Sequence, residues 1–234
     1  MRIATLLGLA TLGIAGLGPI DAQAAARASH PTIRSMAGAA PVAELQAGKT
    51  VLLVIDFQKE YFSGGRMPIP DGATALRQTR RLIEFADRSG IRVVHVQHVL
   101  PAGAPLFAEG GDTVGFHADL QPRKGERVVR KDAVSVFAGR SAGEIEQVLK
   151  EAGADTLIIA GLQTHACVAG AARDAAAKGY QVVVSSDASA TRDLDLRDGG
   201  SVGHKQLHAS ALAEIEDTFG DVMSTDRILA LPVR

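Results

Sequence analysis

A chain of 234 residues with 46% apolar side chains can bury one sizeable core, so a single ordinary α/β domain is expected. Its 25 basic and 26 acidic residues nearly cancel and form no long run of either sign. That removes the electrostatic case for a nucleic-acid or anionic-membrane surface and leaves small molecules as the expected partners. With one cysteine there is no internal disulfide, and Cys167 must be a buried hydrophobe, an intermolecular bridge or a reactive group.

In chain order, Arg2 precedes an uncharged stretch from Ile3 to Ile20 that closes on Ala22-Gln23-Ala24. A basic start, a short apolar run and a small-x-small site predict a cleaved signal peptide over 1–24 and an exported, periplasmic product. Gly8, Gly13, Gly16 and Gly18 dilute the run, which argues against a spanning anchor, so no membrane contact is expected after cleavage. Residues 25–46 carry Pro31 and Pro41 without a sustained period and read as a leader arm.

From residue 47 onward strand and helix signals alternate. Val51 to Ile55 is a run of apolar, mostly β-branched residues, as a strand covered on both faces requires. Further strands are expected at Ile91 to Val96, Arg127 to Arg130, Thr156 to Ala160, Gln181 to Ser185 and Asp221 to Met223. One-sided helical periods fall between them, at Leu76, Thr79, Ile83 and Ala86, then at Ile145, Val148, Leu149 and Ala152, and last at Leu207, Ala211, Ile215 and Phe219. Ser141 with Glu144 predicts a capping box, and Gly153 the opposite end of the same helix. Right-handed βαβ crossovers then give a three-layer α/β/α, Rossmann-like fold with a doubly wound, mainly parallel six-stranded sheet.

In open sheets of this kind ligands sit beyond the carboxyl ends of the strands. Asp56 ends the first strand, Lys131 ends the third, and Cys167 follows the fourth. A carboxylate at a buried strand end is costly unless paired or used. A thiol at the start of the Ala171 to Lys178 helix is expected to have its pKa lowered by the helix dipole. Together the three make a nucleophilic site: Asp56 takes the thiol proton, Lys131 stabilises the charges, and Cys167 attacks a carbonyl. No Gly-x-Ser-x-Gly, dinucleotide fingerprint or P-loop competes. His95 and His98 on one strand point to different faces, so neither a metal nor another cofactor is expected. Gln58, Phe62, His98, Phe137 and His165 are the candidate substrate contacts.

Val54-Ile55-Asp56-Phe57-Gln58, Val129-Arg130-Lys131 with Phe137-Ala138-Gly139, and Gly161-Leu162-Gln163-Thr164-His165-Ala166-Cys167-Val168 resemble the isochorismatase-like cysteine hydrolases. Ala172-Arg173-Asp174-Ala175, Gly179-Tyr180 and Asp187 to Asp193 extend the likeness, which spans Val51 to Leu229. The resemblance implies an Asp56, Lys131 and Cys167 triad. It also implies a cis peptide between Leu162 and Gln163, with the Gln163 and Cys167 amides as oxyanion hole, and a homo-oligomer. Arg140 and Ala171 stand where relatives often have Thr. The Asp-x-His metal motif of the nicotinamidase branch is replaced by Gln97-His98-Val99-Leu100-Pro101. The implied activity is cleavage of a carbon–nitrogen bond in a small amide or ureide through an acyl-enzyme. The alternatives are isochorismatase-type vinyl-ether hydrolysis, or a non-catalytic small-molecule binding protein on the same fold.

Overall fold

The computed structural model describes residues 30–234; the expected signal peptide and the first residues of the leader arm lie outside the described residues. In chain order the elements are α1 (Ile33–Met36), β1 (Thr50–Ile55), α2 (Gly72–Ser89), β2 (Arg92–His98), β3 (Arg127–Lys131), α3 (Ala142–Glu151) and β4 (Thr156–Leu162). They continue with α4 (Ala169–Ala177), β5 (Gln181–Ala190), a small hairpin of β6 (Leu194–Asp195) and β7 (Ser201–Val202), α5 (His204–Thr218), β8 (Asp221–Met223) and α6 (Thr225–Leu229). Six strands form one parallel sheet in the order β3-β2-β1-β4-β5-β8.

The two faces of this sheet follow from the period-two geometry of a strand. Leu52 and Val54 of β1, with Ile158 and Ala160 of β4, join a core completed by α2 and α6. Their neighbours Val51, Leu53, Ile55, Leu157 and Ile159 face the other way and pack under α3, α4 and α5. Every residue of β1 and β4 is buried, as a sheet sandwiched between helices demands.

β5 runs five residues past the expected end at Ser185. Ser185 to Asp187 broke the apolar pattern, yet these polar groups are satisfied where α6 begins. The Thr225 backbone amide and hydroxyl both donate to Asp187 Oδ1 at 2.7 Å. The capping box expected at Ser141 is not formed. Ser141 already has helical dihedrals after a 3₁₀ turn, and its hydroxyl donates to Val136 O and Ala138 O instead. In the arm, Arg34 Nη1 lies 2.7 Å from Asp221 Oδ1 and the Val42 amide donates to Asp221 Oδ2, so one carboxylate holds both ends of residues 34–42. Among the described residues, no helix is long and apolar enough to cross a membrane.

Candidate active site

Between β1 and β4 the strand order reverses, so the loops leaving their carboxyl ends diverge and open a crevice. Asp56 follows β1 there with a left-handed backbone (φ 55°), uncommon for a residue with a side chain. Cys167 lies in a single π-helical turn, Thr164–Val168, that joins β4 to α4. Lys131 ends β3 and reaches the same point from beyond β2. All three are buried, Asp56 and Lys131 almost completely.

Lys131 Nζ is the hub. It stands 2.9 Å from Asp56 Oδ2 and 3.3 Å from Cys167 Sγ, and donates to His98 Nδ1 at 3.0 Å and Ala133 O at 3.1 Å. The contact with Asp56 is a buried ion pair. Asp56, His98 and Cys167 bring three metal-type donor atoms within 4.8 Å of one another. The positive charge within bonding distance of all three is the Lys131 ammonium.

Burial pulls the Lys131 pKa down, but the charges of Asp56 and Cys167 outweigh it and leave the ammonium above its usual range. Burial, then the Asp56 charge, pushes the Cys167 thiol up to about 12 against the opposing pull of Lys131. The lowered thiol pKa expected from the helix terminus is thus reversed, since desolvation of a buried sulfur exceeds the partial charge of a helix end. The peptide between Leu162 and Gln163 is cis.

Residues 50–227 match the model of the isochorismatase domain. The chain belongs to the isochorismatase family. It is 34% identical over 197 residues to the secreted isochorismatase effector Isc1 of Verticillium dahliae, spanning 84% of this chain and 98% of that protein. Maleamate amidohydrolase of Pseudomonas putida is 28% identical over 191 residues, covering 75% of this chain and 83% of its own length. Among solved structures, an isochorismatase from Pseudomonas putida KT2440 superposes with a TM-score of 0.77 at 30% identity, over 85% of this chain and 99% of that one.

Around Asp56, Lys131 and Cys167 of this isochorismatase-family hydrolase, the expected substrate contacts separate. His98 reaches Lys131, and its ring stacks on Phe107 with centroids 4.6 Å apart. His165 is half-buried and donates from Nδ1 to Thr191 Oγ1 at 2.6 Å, whose hydroxyl turns to Gln163 Oε1. Gln58 is fully buried and tied to backbone: its amide donates to His98 O and Val114 O and accepts from the His98 amide. Its side chain thereby joins two loops. Phe137 is buried in the core beneath α3 and α4 beside Tyr180. Phe62 lines a groove of about 610 Å³ with Pro68, Ile69 and His117, and no triad residue lines that groove. Arg140, a departure from the family pattern, holds Asp132 next to Lys131, and Ala171 is buried in the core.

Three residues of the site were not singled out by sequence. Tyr61 is buried, meets Phe107 edge-on at 5.4 Å, and keeps its proton because burial, then the Cys167 and Asp56 charges, holds its hydroxyl well above the usual range. Phe107 sits in a loop with φ 51°, where no periodicity marks it. Arg192 follows the last pair of β5 residues, and its charge reaches Tyr61 and His165 while its Nε is buried without a partner.

Proposed function

We propose that this hydrolase cleaves the carbon–nitrogen bond of a small amide or ureide through a thioester on Cys167. The observation that carries the reading is the burial together of a nucleophile, a carboxylate and an ammonium within 3.3 Å of both. Asp56 takes the thiol proton as sulfur attacks the carbonyl carbon, and Lys131 stabilises the thiolate. The backbone amides of Gln163 and Cys167 receive the oxyanion. Asp56 then passes its proton to the departing amine, and in the second half it activates the water that hydrolyses the thioester. The unpartnered Arg192 nitrogen suits an amide that also bears a carboxylate. The name of the Pseudomonas putida relative agrees with amide chemistry.

The test is a panel of small amides and ureides with ammonia detection, followed by rapid acid quench of the best substrate and mass spectrometry. A mass increment equal to the acyl or carbamoyl part should appear on Cys167, and Cys167→Ser should abolish turnover. Undiminished hydrolysis of isochorismate by Cys167→Ala, with no amide activity in the parent, would move the chain to vinyl-ether chemistry.

A further inference from the structure

The geometry points to His98 as a positioning residue that holds the Lys131 ammonium between the Cys167 sulfur and the Asp56 carboxylate. The inference rests on Cys167 being the nucleophile, as proposed above.

An ammonium has three hydrogens. Lys131 Nζ has three partners of hydrogen-bond geometry: His98 Nδ1 at 3.0 Å, Ala133 O at 3.1 Å and Cys167 Sγ at 3.3 Å. The fourth neighbour, Asp56 Oδ2, is the nearest at 2.9 Å. Electrostatics alone would send a hydrogen to the carboxylate before a neutral thiol. With His98 and Ala133 each taking one hydrogen, the rotation of the ammonium is fixed and the third is left for the side on which Asp56 and Cys167 stand.

This division suits the first proton transfer. Sulfur becomes thiolate with the ammonium already beside it, and Asp56, held on the same side, receives the thiol proton. His98 can do this only as a neutral imidazole with its hydrogen on Nε2. The charged groups that face it are Lys131 and Asp132 from the end of β3 and Asp56 from the end of β1, and burial followed by the Lys131 charge keeps the ring below its ordinary pKa. Its backbone is fixed by Gln58, and its ring by the parallel stack on Phe107. A side chain anchored on both flanks and spent on Lys131 is placed to orient the lysine rather than to bind substrate.

The experiment uses His98→Leu, which keeps an apolar side chain against Phe107 but accepts nothing, and His98→Asn, which restores an acceptor that does not titrate. Iodoacetamide is the probe of Cys167, and the amide found by the substrate panel is the probe of turnover. His98→Leu should lower kcat by roughly 10- to 100-fold with KM little changed, the scale set by losing a hydrogen bond to a charged group. It should also displace the pH profile of Cys167 alkylation to higher pH. His98→Asn should recover much of both losses and shed the acid limb that His98 contributes. A raised KM with kcat preserved would make His98 a substrate contact, and an alkylation profile identical in all three proteins would also overturn the inference. Neither result touches the nucleophile assignment, which falls only if Cys167→Ala still turns the amide over.

Discussion

A thiol held at about 12 by burial and by the charge of Asp56 is a protonated, slow nucleophile until a substrate arrives. Asp56 therefore has two opposed effects: it accepts the proton, and its charge keeps that proton on sulfur. Asp56→Asn should separate them. Turnover should fall by about 100-fold or more with the loss of the base. Alkylation of Cys167 at neutral pH should rise, because the neighbouring negative charge is gone and Lys131 remains. If alkylation slowed in parallel with turnover, the carboxylate would not be what raises the thiol. Asp56, Lys131 and Cys167 were legible in the sequence because each adjoins a strand end, where burial makes a charge or a thiol conspicuous. The acceptors around Lys131 were not, since Ala133 acts through its backbone and His98, picked out as a candidate substrate contact, gave no sign of a partner on another strand.

Among the elements, β1 and β4 matter most, because the crevice opens between them. Gly161 lets them approach: a Cβ there would lie 2.6 Å from Ile55 Cβ and 2.7 Å from Ile55 O. Ile55 immediately precedes Asp56, so the strands cannot separate at this point without moving the carboxylate. Gly161→Ala is expected to destabilise the fold by about 1–3 kcal/mol, the ordinary cost of overpacking, and to lower kcat in the fraction that stays folded. Denaturant unfolding and a rate per folded molecule check the two halves separately; unchanged values of both would show that the strands give way freely. The runs at Val51 to Ile55 and Thr156 to Ala160 announced both strands, since a strand covered on two faces has no polar side to confuse the reading. The π-helical turn at Thr164–Val168 and the β6–β7 hairpin carry no such period and were not anticipated.

At the scale of the whole molecule, His95, His98, His165 and His208 all titrate below the ordinary 6.5, each chiefly through burial. The sign follows from where the proton binds more strongly. Unfolded, these imidazoles take it up near pH 6.5; folded, they resist. Their contribution to stability is complete above that pH and is lost progressively as pH falls from there through the lower folded values. Unfolding free energy should thus decrease between about pH 7.5 and about pH 5.5, with net proton uptake on unfolding. His95→Gln should flatten part of that slope while keeping a donor for Glu126, which His95 Nε2 meets at 3.0 Å. A stability that stays level across this interval would contradict the four shifts together.

The ring of Phe107 meets Tyr61 edge-on and stacks on His98. If His98 orients Lys131, a ligand bulky enough to push that ring aside also loosens the lysine, so an oversized amide could be held well and still be processed slowly. Discrimination by size would then be written in kcat rather than KM, and exchanging residues of the loop that carries Phe107 would retune turnover without altering any group that meets the scissile bond.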